Sequence, residues 1–330
     1  MKLPRREFLQ LATGAAALPA SARIARAQAY PTRPITMVVP FPAGGAFDVL
    51  GRIFAPVLSE HLGQQIIVEN VGGAGGMTGV ARVARATTDG HQFVLGDAST
   101  FAINQTFYKK PLYNATSEFA PVMLIAEVPQ VLVARKTLPV NNLSEFISYA
   151  AANQGMMHYG SAGPGTGGHL TCALLNTAAG INVTHVPYRG AAPALQDVVG
   201  GQIDYLCTPA PTVTSQIEGK AVNAIAVLTK SRSPSLPSVA SAHEQGLQNF
   251  EASNWGAFFF PKGTPAHIIQ KLHDATVAAL SNPSVLGRLK EVAADPVSPE
   301  RRSPEFLADF VKSEIEKWAI PIKSAGISAD

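Results

Sequence analysis

Short β-rich runs in this chain end, again and again, in glycine-rich loops that open into amphipathic helices. Ile35-Thr36-Met37-Val38-Val39 is apolar and β-branched, as a strand buried on both faces should be, and Phe41-Pro42-Ala43-Gly44-Gly45 follows it. A helix then reads from about Phe47, with Val49, Leu50, Ile53, Phe54, Val57, Leu58 and Leu62 on one face and Gly63 as its stop. Ile66-Ile67-Val68 runs into Gly72-Gly73-Ala74-Gly75-Gly76 and a helical stretch through Arg85, and Gln92-Phe93-Val94-Leu95 runs into Gly96-Asp97-Ala98-Ser99-Thr100. Strands alternating with helices predict βαβ units and a largely parallel sheet.

The alternation breaks near residue 122. Val122 to Ala126 and Val131 to Ala134 are apolar runs with only Glu127 to Gln130 between them, too few residues for a helix, so the chain is expected to cross there into a second lobe. A second α/β series follows at Met157 to Tyr159, Val183 to Val186, Ile203 to Leu206 and Ala224 to Val227, with a return crossing expected near Phe250 to Phe260. The last seventy residues read as mainly helical. At 330 residues the chain has the length of about two domains. The expected division is a leader over 1–29, lobe 1 over 30–126 plus 251–330, and lobe 2 over 127–250.

The leader also explains the charge. Lys2, Arg5 and Arg6 precede an apolar, small-residue run from Leu9 to Ala20, and Ala27-Gln28-Ala29 offers a small-x-small cleavage site. Pro4-Arg5-Arg6-Glu7-Phe8-Leu9 resembles a twin-arginine export signal. The whole chain carries 26 basic and 23 acidic side chains; removing residues 1–29 takes five cations and one anion, leaving 21 against 22. With the basic excess gone and no long apolar run left, nucleic-acid binding and direct membrane association are disfavoured. Cys172 and Cys207 read as two separately buried thiols, although an exported protein permits their pairing.

The richest stretch for chemistry is Tyr159-Gly160-Ser161-Ala162-Gly163-Pro164-Gly165-Thr166-Gly167-Gly168-His169-Leu170, which follows a strand and opens a helix ending at Gly180. Glycines let a ligand approach the backbone, and the first N–H groups of a helix lack intrahelical partners, so the turn suits an anion. Gly163, Gly165 and Gly168 satisfy G-x-G-x-x-G, but no carboxylate occupies Val183 to Gly190, and His169-Leu170 stand where a P-loop needs Lys and Ser/Thr. The loop from Pro42 to Asp48 has the same mechanics in the other lobe, giving a clamp for a small carboxylate. Asp48 has two readings: hydrogen-bonding the first helical turn, or recognising a ligand ammonium or hydroxyl. Ser161 lacks the glycine two residues earlier that a nucleophile elbow needs, and the eight histidines show no metal-ligand spacing, so neither catalytic residues nor a metal site is expected. His169 and Arg189 could each meet a ligand or serve the fold. Tyr188 and Phe47 are candidates for shaping a pocket, while Trp255 and Phe258 to Phe260 read as core.

These residues resemble a known family over nearly the whole chain beyond the leader. The ordered series is Phe41-Pro42-Ala43-Gly44-Gly45-x-x-Asp48, Val68-Glu69-Asn70, Gly73-Ala74-Gly75-Gly76, Asp89-Gly90, Gly160-Ser161 through His169-Leu170, Val186-Pro187-Tyr188-Arg189-Gly190, Gly201-Gln202-Ile203-Asp204, Trp255-Gly256 and Pro261-x-Gly263-Thr264-Pro265. It is similar to the solute-binding receptors of tripartite tricarboxylate transporters, the Bug family of periplasmic proteins. The resemblance implies an α/β, two-lobed type II periplasmic-binding fold with two crossing strands at the hinge, and a carboxylate held through backbone N–H groups and bridging waters. Carried over residue by residue, the ligand-binding candidates are Ala43, Gly44, Gly45 and Asp48, then Ser161, Gly163, Thr166, Gly167 and His169, with Tyr188 and Arg189 nearby. Ser99 and Thr100 match more loosely. Phe47 departs from the small polar residues usual beside the first loop, and Val71-Gly72 replaces a typical Arg-Pro.

The function expected is a monomeric, exported receptor that needs no cofactor, captures a small carboxylate and presents it to integral-membrane permease subunits. The alternatives are an exported cofactor-dependent oxidoreductase and an orphan receptor that feeds a sensor.

Overall fold

Apolar, β-branched runs buried on both faces assemble into one sheet, and the glycine loops at their ends carry helices to either side. The computed structural model describes residues 30–328 apart from Asn249; the expected leader lies outside the described residues. In chain order the elements of the first half are β1 (Ile35–Val39), α1 (Ala46–Leu62), β2 (Ile66–Asn70), α2 (Met77–Ala84), β3 (Gln92–Asp97), a π turn at Ser99–Ile103 and the short α3 (Asn104–Phe107). Then come β4 (Phe119–Arg135), α4 (Leu143–Asn153), β5 (His158–Ser161), α5 (Gly167–Ala179), β6 (Thr184–Pro187), α6 (Ala191–Val199), β7 (Tyr205–Pro209), α7 (Thr214–Glu218) and β8 (Val222–Val227). The chain returns through β9 (Ser253–Pro261) and ends in α8 (Ala266–Ala279), α9 (Pro283–Glu291), β10 (Asp295–Pro296) and α10 (Pro304–Ser324).

The strand order is β2-β1-β3-β9-β4-β7-β5-β6, with β8 and β10 also pairing β4. β1 pairs β2 and β3 in parallel, and β5 pairs β6 and β7 in parallel, as the βαβ reading requires. The two apolar runs around Glu127 are one continuous 17-residue strand. Its first part, to Pro129, pairs antiparallel with β9, and from Gln130 onward it pairs with β7 and β8. β4 and β9 are therefore the two crossing strands, and lobe 2 repeats the strand order of lobe 1 as β6-β5-β7-β4-β8.

Each side of the crossing has its own core. In lobe 1, Phe93 packs edge-on against Phe258 and Phe260, while Phe101 stacks on Phe259 at 3.8 Å between ring centroids. Trp255 is buried there too and donates its indole N–H to Glu314 at 3.0 Å. These aromatics belong to the core, as the sequence suggested, and full burial of each phenyl ring contributes roughly 1.5–3 kcal/mol. In lobe 2 the clusters lie on the two faces of the sheet, around Phe146 and Tyr205 on one and Val131, Ala194 and Leu206 on the other.

The expectation of two separate thiols is overturned: Cys172 and Cys207 form a disulfide, with their Cα atoms 5.5 Å apart. The cause is a close approach that sequence spacing does not reveal. α5 lies so tightly on β7 that a Cβ on Gly168 would stand 2.4 Å from the Cys207 carbonyl oxygen. Cys172, one turn further along α5, is thereby brought over Cys207.

Candidate functional site

Three helices begin at the cleft between the lobes. α1 starts after Gly45, α5 after Thr166 and α6 after Gly190, and none of the three is capped by the side chain of its own N-cap residue, although the first N–H of α5, at Gly167, is taken by Ser99 Oγ. Thr166 is of a residue type that often caps, yet its hydroxyl turns back and donates to the Gly163 carbonyl at 2.7 Å. Gly45, Ala46 and Phe47, then Thr166, Gly167 and Gly168, then Gly190 and Ala191 all line one chamber of about 580 Å³, including its opening to solvent. The α1 and α6 starts face each other, since a Cβ on Gly44 would lie 3.4 Å from the Cβ of Ala192. Each helix start is equivalent to about half a positive charge, and these dipole ends line a chamber that has no basic side chain in its wall among the described residues.

The floor of the chamber is polar and comes largely from lobe 1 and the crossing strands. Asp97, fully buried at the end of β3, accepts from Ser99 Oγ at 2.7 Å, Thr100 N at 2.9 Å, Thr100 Oγ1 at 2.7 Å and Asn254 Nδ2 at 3.1 Å. Burial pushes its carboxyl above the ordinary carboxylate range, against the pull of these donors. Ser99 Oγ in turn accepts from Gly167 N at 2.9 Å, which joins the lobes at the head of α5. Asn254 Oδ1 accepts from Ala98 N and Trp255 N. Apolar surface from Phe41, Phe47, Ala194, Leu206 and Pro209 completes the wall.

Of the residues expected from sequence, Gly45, Phe47, Ser99, Ser161, Thr166 and Gly167 line this chamber. Gly163, Tyr188 and Arg189 line an adjoining outer vestibule, which shares Phe41, Pro42, Ala162, Thr166 and Gly190 with it. The Tyr188 hydroxyl points away to Asp197 Oδ2, 2.6 Å off, and burial together with that carboxylate pushes its pKa up to about 12. Ala43, Gly44, Asp48, Thr100 and His169 do not line the chamber. Ala43 and Gly44 are exposed at its rim, and Thr100 is spent on Asp97.

Asp48 makes the contacts of the first of its two readings. Its Oδ2 accepts from Gly44 N at 3.0 Å, pinning the loop, and its carboxylate pairs with Arg52 one turn along α1. Burial would raise its pKa, but hydrogen bonds from Arg52, Gly44 and Asn70 and the Arg52 charge outweigh that and hold it below the ordinary value. His169 likewise serves the fold. Its Nδ1 accepts from Gly165 N at 3.4 Å, and its ring stacks on His185 at 4.3 Å and meets Phe107 edge-on. Burial, reinforced by His185, lowers the His169 pKa to about 3; burial alone lowers His185 to about 4.

Ser161 Oγ lies 2.7 Å from His185 Nε2, a pairing that in other settings activates a nucleophile. Here the same hydroxyl accepts from Gly163 N at 3.1 Å, and the His185 ring is sandwiched between Tyr159 and His169. Ser161 thus links the turn after β5 to the His185 ring on β6. No cluster of three His, Cys, Asp or Glu side chains among the described residues forms a metal site.

Sequence reasoning missed the α6 start, Asp97, Asn254, Thr208, Pro209 and Thr212, all of which line the chamber. The α6 start carried a usable signal: Gly190, at φ +117°, between a strand and small residues, repeats the strand–glycine–helix junction. Asn254 carried none, because its partner Asp97 is 157 residues away.

Two α/β lobes, a pair of crossing strands and a chamber walled by helix starts define a two-lobed solute-binding protein. Residues 50–327 match the family model described as the tripartite tricarboxylate transporter family receptor, and the chain belongs to that family. It is similar to the solved periplasmic binding protein BugD, at 37% identity and a TM-score of 0.87 over 91% of this chain and 100% of that one. It is also similar to MatC of Rhodopseudomonas palustris with bound malate, at 36% identity and a TM-score of 0.86 over 89% of this chain and 100% of that one. For R. palustris Rpa4515 with adipate the figures are 34% and 0.87, over 91% and 99%. The family and fold expected from the sequence are thus borne out.

Proposed function

We propose that this chain is a periplasmic receptor that closes on a small organic carboxylate and delivers it to the integral-membrane subunits of a tripartite transporter. In this reading lobe 1 comprises 30–126 and 251–330, lobe 2 comprises 127–250, and the protein is exported by the twin-arginine route and works as a monomer. The observation that carries it is the convergence on one interlobe chamber of three helix N-termini that their own N-cap residues leave uncapped. Free N–H groups at a helix start bind an oxyanion directly, and the aligned dipoles favour its charge. Gly45, Ser161, Thr166, Gly167 and Ser99 supply the surrounding contacts, and Gly163, Tyr188 and Arg189 flank the entrance. Ala43, Gly44, Asp48, Thr100 and His169 hold the loops in shape. Binding both lobes at once favours the closed state, so closure needs no bond chemistry and no cofactor. The malate and adipate held by two relatives of 34–36% identity support the ligand class.

A thermal-shift screen of the mature protein against carboxylates, amides and nucleotides tests the reading. An acid at about 100 times its Kd should add about 2.7 kcal/mol of stability, seen as a clear rise in Tm. A protein that ignores every carboxylate and purifies with flavin or nicotinamide would be the oxidoreductase instead.

A further inference from the structure

Ser99 lines the chamber, yet its hydroxyl has no proton to offer a bound carboxylate. That proton goes to Asp97 Oδ2, 2.7 Å away, and a lone pair of the same hydroxyl oxygen takes the first N–H of α5, from Gly167, at 2.9 Å. Ser99 follows β3 in lobe 1 and Gly167 opens α5 in lobe 2, so the bond spans the crossing. Asp97 fixes its direction. Oδ1 accepts from Thr100 N and Thr100 Oγ1, and Oδ2 accepts from Ser99 Oγ and Asn254 Nδ2, which fills the roughly four acceptor positions of a carboxylate. Asn254 cannot turn its oxygen toward Asp97, because that oxygen accepts from Ala98 N and Trp255 N. Asp97 therefore lines the chamber with no position left for a ligand's donor, and it acts on the α5 start through Ser99.

The seat around Gly167 is close-fitting. A Cβ there would stand 3.0 Å from Gln130 Nε2 and 3.3 Å from both Asn254 Nδ2 and Ser99 Oγ. Asn254 belongs to one crossing strand and Gln130 to the other, at the point where β4 changes partner from β9 to β7. A residue without a side chain thus lodges the head of α5 against lobe 1 and both crossing strands.

We infer that this seat is a latch between the lobes, in which Ser99 accepts from Gly167 when the lobes come together and Asp97 is the positioning residue that keeps the Ser99 oxygen turned to α5. The inference rests on the carboxylate-receptor reading above and adds what holds the lobes together apart from the ligand. A latch made of protein atoms alone slows the release of every bound acid by the same factor, whereas a ligand contact slows release according to the acid.

Stopped-flow release of malate, adipate and the acid of largest thermal shift tests this in the mature protein, with amide exchange at Gly167 followed by NMR in the acid-bound state. Ser99→Ala should speed release about 3- to 10-fold, the worth of one hydrogen bond, by factors that agree within about threefold among the acids that bind. It should also speed exchange at Gly167 and leave Leu175, deep in α5, unchanged. Asp97→Asn, whose carboxamide oxygen can accept from only two of the four donors, should speed release about threefold or more alone and less than about twofold in the Ser99→Ala background. If Asp97→Asn does not fold, Asp97→Ser takes its place. Unchanged release in Ser99→Ala, factors spread beyond about threefold, or an unprotected Gly167 amide in the acid-bound wild type overturns the latch and leaves the carboxylate receptor standing. An equal gain from the Asp97 substitution in both backgrounds overturns its positioning role. Binding of no carboxylate in the thermal screen overturns the receptor reading, and this inference with it.

Discussion

Gly168 has room for no side chain, and the reason lies in a carbonyl oxygen 39 residues away in sequence. Since a Cβ there would meet Cys207 O at 2.4 Å, even alanine must push α5 off β7 and strain both the disulfide and the chamber wall. Gly168→Ala should therefore lose about 1–3 kcal/mol in urea unfolding, the range for overpacking. Gly155, exposed and with nothing within 4 Å of an added Cβ, is the control, and Gly155→Ala should stay within about 0.5 kcal/mol of wild type. Equal effects at the two sites would mean that α5 is not packed as described. Asp48 sits in a binding-loop motif, yet its oxygens are taken by Gly44 N and Arg52, so it shapes the loop from behind.

At the scale of the element, α5 carries a pH dependence. His169, in its first turn, and His185, on β6, are stacked and buried, with pKa values lowered to about 3 and about 4. Between those values and the ordinary 6.5, the unfolded chain binds protons that the folded one refuses. Stability must then rise with pH across this window and fall as pH drops below about 6.5. For His169 alone the slope is at most about 1.4 kcal/mol per pH unit. Asp97, raised by burial, works in the opposite sense, so the measurement is a comparison. Tm of wild type should fall between pH 6.5 and 5, and His169→Gln should flatten that fall; parallel curves would remove the pair as its source. The glycine-loop junction is legible in the sequence because it is local: a strand end, a positive-φ residue and a helix start adjoin along the chain. What α5 packs on is not, since β7 lies some thirty to forty residues further on.

Across the whole molecule, the lobes meet through few direct bonds. Gly167 N donates to Ser99 Oγ deep in the cleft, and Tyr108 Oη donates to the Pro164 carbonyl at 3.2 Å near its mouth. Tyr108 lines the vestibule and not the chamber, so its hydroxyl joins the two lobes from outside the chamber. Tyr108→Phe should raise the dissociation rate of the acid giving the largest thermal shift by about 2- to 10-fold, the worth of one hydrogen bond, with little change in association rate. Stopped-flow kinetics separates the two, and an effect confined to association would place Tyr108 on the entry path instead. The crossing itself is readable in the sequence, because two apolar runs four residues apart leave no space for a helix.

Local pattern along the chain is enough to specify the alternating α/β plan, the crossing strands, two of the three helix starts and the family. All of these depend on periodicity, turn chemistry and motif order over short stretches. Which candidates face the chamber, that Cys172 meets Cys207, and that Asp97 and Asn254 share its floor were settled by folding in three dimensions. Those outcomes come from close approaches between distant segments, where a missing Cβ, one hydrogen bond or one buried charge selects the arrangement. No local pattern encodes them. The chamber walled by helix starts is the plainest instance: the positive ends of three backbone dipoles line it, and only folding brings them together.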